Sequence, residues 1–165
     1  MKFTIDRAPF LKALSHGQSV VEKHTSVPIL THVLIQAKEG MVRLSTTDLE
    51  MSLVEEVSAD ISEEGAVALP AHMLHDLVRK LPDGARVEIS WEEGAAQAEL
   101  ASNSADFHLS CLPAQDFPEI SQDSLPHQFK IPAKVLHDIL DRCRFAMSTE
   151  ETRYYLNGIY LHVVD

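Results

Sequence analysis

Hydrophobic and polar positions alternate at the start of the chain, with Phe3 and Ile5 on one side and Lys2, Thr4 and Asp6 on the other. A period of two predicts a half-buried strand over 1–6. From residue 7 the period lengthens. At 100° per residue, Phe10, Leu14 and Val21 fall within about 40° of one another, which predicts an amphipathic helix over 7–24. Lys12, His16 and Lys23 take its opposite side. Asp6 stands where an N-cap belongs, Pro9 suits a first turn, and Gly17 weakens the far end. Thr25-Ser26-Val27-Pro28 breaks the helix. Strands are then predicted over 29–37, 41–46, 49–58 and 65–69, with Glu39-Gly40 as a hairpin turn.

Pro70 introduces a second helix at 71–80. Met73, Leu74, Leu77, Val78 and Leu81 mark its core face, and His72, His75, Asp76, Arg79 and Lys80 its polar face. Pro82-Asp83-Gly84 ends it, and strands follow at 86–91, 96–101 and 106–111. The order is strand, helix, three strands, stated twice. Residues 113–128, with Pro113, Pro118 and Pro126 among polar neighbours, read as an ordered linker. A strand at 128–132 and a helix at 132–148 come next, with Leu136, Ile139, Leu140, Cys143 and Met147 toward a core and Lys134, Arg142 and Arg144 outside that arc.

That last stretch restarts the chain. Moved by 126 residues, Phe3-Thr4-Ile5 lands on Phe129-Lys130-Ile131, Leu14 on Leu140, Leu30 on Leu156 and Ile35 on Leu161. Only four of 39 overlapping pairs are identical, so the signal lies in the apolar pattern rather than in identity. A long period means one structural unit used again. The fold class is α+β, with repeated β-α-β-β-β units. The domain expectation is a complete first unit at 1–112, a linker at 113–127, and at 128–165 the start of a second unit that is cut off.

Composition refines this picture. The chain has 165 residues, 45% of them hydrophobic, and a formal net charge of −11. No apolar run is long enough to span a membrane, and the first residues lack the apolar core of a signal peptide. Cys111 and Cys143 are too few for a disulfide framework, which fits a reducing cytoplasm. The negative total argues against tight nucleic-acid binding by bulk attraction. Yet the three helical segments hold eight of the 14 Lys/Arg and only four of the 25 Asp/Glu. Basic helices on an acidic, strand-rich body match phosphate contact that reads no bases. A solvated helix face is the plain alternative for any single helix.

Enzymatic chemistry finds little footing. The six glycines are isolated, so no phosphate loop is formed, and no Cys/His spacing matches a zinc site. His72 and His75 lie three apart on a helix beside Asp76, and Asp48 and Glu50 share one side of a predicted strand. The histidines could be metal ligands and the carboxylates a general acid-base pair, and a hydrolase would use His72, His75 and Asp48, with solvated polar faces as the plainer reading of each. Cys143 has no partner group and reads as core. Arg153-Tyr154-Tyr155-Leu156-Asn157-Gly158 joins an Arg to two Tyr where a strand would open, a composition suited to binding a nucleic-acid backbone or a peptide.

Four stretches resemble the bacterial DNA polymerase III beta-subunit family of replicative sliding clamps: Met1-Lys2-Phe3-Thr4-Ile5, Thr46-Thr47-Asp48-Leu49-Glu50-Met51, Leu112-Pro113-Ala114-Gln115-Asp116-Phe117-Pro118 and Arg153-Tyr154-Tyr155-Leu156-Asn157-Gly158. The resemblance runs through all 165 residues in order. It implies the clamp fold, with helices on one face of the sheets, and a homodimeric ring of three-domain subunits around double-stranded DNA, of which this chain is an N-terminal portion. It also implies a non-catalytic role without cofactor or metal. The implied partners are the polymerase III alpha subunit, the clamp loader and other proteins carrying a clamp-binding motif. By motif alignment the DNA-contacting positions fall on His24, His72, Glu150, Tyr154 and Tyr155, with Arg79 and Lys80 as further cations. Arg is expected where His24 and His72 stand, and a neutral amide where Glu150 stands. The partner-peptide cleft begins at Arg153 and Leu156. The ring-closing edge falls near Phe107 and Leu109, beside Met73 and Leu77. A free-standing peptide-binding module built on the Tyr-Arg segment is the alternative.

Overall fold

Alternation and helical periodicity both become structure in the computed structural model, which describes residues 1–22, 25–103, 105–118 and 129–162, without the side chains of Glu151 and Tyr154. The chain forms two units, Met1–Ile120 and Ser121–Asp165. In the first, β1 (Lys2–Asp6) and α1 (Arg7–Gln18) precede β2 (His32–Lys38), β3 (Met41–Thr47), β4 (Ser52–Ser58) and β5 (Asp60–Glu63). A second round follows: β6 (Gly65–Pro70), α2 (Ala71–Lys80), β7 (Arg86–Ser90), β8 (Gln97–Ser102), β9 (Ala105–Ser110) and the two-residue β10 (Leu112–Pro113).

The two rounds exchange strands. One antiparallel sheet has the order β5-β1-β7-β8-β9 and the other β10-β6-β2-β3-β4. Each round therefore gives its first strand to the sheet built by the other. Phe3 pairs with Ile89 and Ile5 with Val87 across β1–β7, and Ile35 faces Val67 across β2–β6. The chain also changes sheet between successive strands at Ala59 between β4 and β5, at Glu64 between β5 and β6, and at Cys111 between β9 and β10.

One apolar cluster joins both sheets to both helices. It includes Phe3 and Ile5 of β1, Phe10 and Leu14 of α1, Ile35 of β2, Leu69 of β6, Leu74 and Val78 of α2, and Leu100 and Leu109 of β8 and β9. α1 packs over β3 and β4, α2 against β2 and β6, and the helices against each other. Gly17 allows the close approach to β3: a Cβ there would stand 3.1 Å from Thr46 Cγ2. The Glu39-Gly40 turn has φ of 51° and 77°, the double left-handed pair that suits a two-residue hairpin.

Several boundaries differ from the sequence expectation. α1 stops at Gln18 rather than 24, because the backbone N–H of Ser19 and its Oγ–H both turn back to the His16 carbonyl. Val21 is still buried, outside the helix. Asp6 makes no side-chain cap and lies near Arg86 instead. β2 begins at His32, after a 3-10 turn at Pro28–Thr31 whose Thr31 hydroxyl donates to the Pro28 carbonyl. β4 begins at Ser52, because Asp48 Oδ1 accepts from the N–H groups of Glu50 and Met51 and holds Leu49 at φ 78°. β5 was not anticipated, and Pro113, the first residue of the expected linker, pairs with Val67 in β10.

In the second unit, α3 (Ala133–Arg144) occupies the residues of α1 moved by 126. No strand precedes it among the described residues 129–132. In the first unit the equivalent strand is held by β5 and β7. α3 buries none of its residues, and Cys143, expected in a core, is exposed. Leu156, expected to open a strand, sits at the end of a 3-10 segment, Glu151–Leu156, kinked at Arg153.

Candidate nucleic-acid interface and partner sites

α1 and α2 form an antiparallel pair whose register is written in side-chain bonds. His72 meets Gln18, His75 meets Ser15, and Arg7 reaches Val78 and Arg79. Arg7 Nε donates to the Val78 carbonyl at 3.0 Å, its Nη2 to the Arg79 carbonyl at 2.8 Å, and its Nη1 to Asp83 Oδ1 at 2.6 Å. The last carbonyls of a helix have no partners within it, and a cation complements the helix dipole there. Arg7 is thus spent on capping α2.

The cations left on the exposed side of the pair are Lys12, Arg79 and Lys80. Arg79 Nη2 holds Asp76 Oδ1 at 3.1 Å, one turn back on α2, so a phosphate would compete with that carboxylate. Carboxylates accumulate elsewhere: Glu56, Glu63, Glu99 and Asp106 are exposed on β4, β5, β8 and β9, and Glu92 and Glu93 on the β7–β8 connection. His16 of α1 reaches Glu55 of β4 at 2.7 Å.

His72 and His75 do not take the open polar face expected of them. Both turn toward α1, and His75 is 11% exposed. The helical wheel of α2 alone carries no sign of this second contact. Gln18 and Ser15, which receive the two rings, were missed for the same reason. The carboxylate of Asp48 is occupied by two backbone N–H groups, so the strand-face carboxylate pair with Glu50 is not formed. Among the described residues, no three His, Cys, Asp or Glu come together as a metal site. None of the described helices is long and apolar enough to cross a membrane.

Along the expected ring-closing edge, β9 is the terminal strand of its sheet. Leu77 and Phe107 are half-buried against the core, and Met73 is 55% exposed. Leu109, at 1% exposure, faces the unit's own core, so its side chain is not available to another chain. His24 lies outside the described residues, as does the side chain of Tyr154.

In the second unit, Glu150 Oε2 stands 3.3 Å from Arg153 Nε. The Glu150 carboxylate is balanced locally, and Arg153 carries a partner. The Ser148 N–H donates to the Leu156 carbonyl and closes the loop between them. Arg153, Tyr155 and Leu156 line one concavity of about 620 Å³ with Ala146, Ser148, Gly158, Ile159 and Tyr160. Tyr155 is largely exposed.

Residues 1–121 match the family model described as DNA polymerase III beta subunit, N-terminal domain. The beta sliding clamp of Caulobacter vibrioides is 45% identical over 165 residues, covering 100% of this chain and 44% of that protein. That of Pseudomonas aeruginosa is 37% identical over 164 residues, covering 99% of this chain and 44% of that protein. The crystal structure of the C. crescentus beta sliding clamp superposes with a TM-score of 0.94 at 45% identity, over 99% of this chain and 44% of that one. The chain thus spans less than half the length of the relatives it matches. By its family model, its sequence and its fold, the chain belongs to the DNA polymerase III beta subunit family.

Proposed function

We propose that this chain is the N-terminal part of a sliding clamp, a non-catalytic ring that encircles double-stranded DNA and tethers a replicative polymerase in the cytoplasm. The observation that carries this reading is the α1–α2 pair. It offers Lys12, Arg79 and Lys80 exposed on two packed helices, while the strands of the unit carry exposed carboxylates. A topologically linked ring needs only weak, sequence-independent phosphate contact, and tight binding would impede sliding. Tethering makes each rebinding of the polymerase intramolecular.

In the same reading, residues 1–112 form the first clamp domain, 113–127 the linker and 128–165 the start of the second domain. β9 closes a homodimeric ring through its open backbone edge, supported by Met73, Leu77 and Phe107. Arg153 and Leu156 begin the cleft that receives the clamp-binding motif of the polymerase alpha subunit, the clamp loader and other partners. Tyr154 and Tyr155 reach the DNA backbone. The test is topological. The protein containing this chain, loaded on a nicked circular duplex, stays bound through gel filtration and is released when the circle is linearised. Equal loss from circular and linear DNA overturns the reading.

A further inference from the structure

Resting on the clamp reading, we propose that His72 is a positioning residue for DNA rather than a contact. It fastens the exit of α1 to α2 and so fixes the surface that the two helices present to the duplex. His72 Nδ1 lies 2.8 Å from Gln18 Nε2, and its Nε2 lies 3.1 Å from the Val21 carbonyl oxygen. The amide of Gln18 donates, so Nδ1 accepts. The ring proton is then on Nε2, which donates to Val21. Both ring nitrogens are spent inside the unit, and neither offers an N–H to a phosphate.

The bond to Val21 falls where it matters. α1 has already ended at Gln18, and Val21 is a buried side chain on a non-helical backbone. Carbonyls just past a helix end lack partners within the helix. His72 supplies one from the neighbouring helix. His75, one turn further along α2, repeats the arrangement: its Nε2 lies 3.2 Å from Ser15 Oγ. The Ser15 hydroxyl hydrogen goes to the Leu11 carbonyl at 2.7 Å, so Ser15 accepts from the His75 ring. Two histidines three residues apart on α2 therefore engage two polar residues three apart on α1. The Lys12 side of α1 is thereby set against the Arg79–Lys80 end of α2.

The experiment is a double-mutant cycle on this chain, with a short random-sequence duplex titrated at low salt and read by NMR. His72→Leu removes both bonds, and Gln18→Leu removes one from a residue that has no charge to offer a phosphate. Both variants are expected to weaken duplex binding, His72→Leu by about three- to tenfold and Gln18→Leu by less, with the double variant no weaker than His72→Leu. Amide exchange at Val20 to Glu22 should rise in both, with no DNA present. The His72 ring nitrogens should keep the Nε2–H tautomer when DNA is added.

Loss of binding in His72→Leu with none in Gln18→Leu overturns the proposal in favour of direct contact. Unchanged binding in His72→Leu overturns it too, as does a change in the ring nitrogens on adding DNA. A wild-type chain with no duplex affinity overturns the proposal and leaves the clamp reading to the circular-duplex test. The two failures are told apart because the exchange measurement reports the fastening with no DNA present.

Discussion

α1 and α3 are the same helix by length and by position in the repeat, and they end in opposite environments. Each has 12 residues, offset by 126. α1 buries Phe10, Ala13, Leu14 and Gly17; α3 has Leu136, Ile139, Leu140 and Cys143 at those places and buries none of them. The periodicity that makes a helix is local. Burial is decided by strands elsewhere in the chain, and α1 has β3 and β4 to lie on. Gly17 and Cys143 show the same difference at one position. The glycine makes room for Thr46, while the cysteine meets no such constraint on its exposed face.

The largest test of this comparison swaps the matched leucines. Leu14→Ala is expected to cost about 2–5 kcal/mol, since Leu14 is 3% exposed in the core. Leu140→Ala, at a site 38% exposed, should stay within about 0.5 kcal/mol. Urea unfolding followed by Trp91 fluorescence and circular dichroism measures both. Equal costs would mean that α3 is as well supported as α1.

A second test removes what α1 gives to α2. Position 7 is Arg and its counterpart 133 is Ala, so Arg7→Ala makes the first helix start as the third does. It leaves the Val78 and Arg79 carbonyls without that donor. The expected cost is about 1–3 kcal/mol, with faster amide exchange at the end of α2. A stability change near zero would show that water replaces the guanidinium fully.

The smallest effect is chemical and leaves the fold intact. Cys143 is exposed on α3, whereas Cys111 is half-covered and its thiol is pushed up by burial, with a smaller opposing effect from Trp91. A raised thiol pKa lowers the reactive thiolate at any given pH. A thiol-disulfide reagent near neutral pH should therefore modify Cys143 first. Cys111 should follow more slowly and gain reactivity as the pH rises. Two thiols reacting at one rate would place Cys111 in the open.

What could be foreseen follows the same division between local and distant causes. α2 is legible to the residue, because Pro70 and Pro82 bracket a clean apolar stripe. The start of α3 and the Glu39-Gly40 hairpin are equally local. β5 escaped because Asp60–Glu63 is four residues long with only Ile61 to mark it. The inward turn of His72 and His75 escaped because a helical wheel shows one helix, and their partners are on another. Leu109 illustrates the reverse case. An edge strand was recognised, but the face its side chains take depends on which sheet the strand joins.

The exchange of first strands between the two rounds also bears on synthesis at the ribosome. β1 is made before both of its partners, β7, where Lys2 meets Ser90, and β5. At about 5–20 residues per second, β1 waits on the order of ten seconds for β7 to be made. During that interval Phe3 and Ile5 have at most the four-residue β5 to pair with. α1 can form early, but its roof over β3 and β4 cannot be completed into a core until β6 and β7 arrive. The first unit must therefore fold as a whole, late in its own translation, and its opening strand is the segment most exposed to wrong partners while it waits.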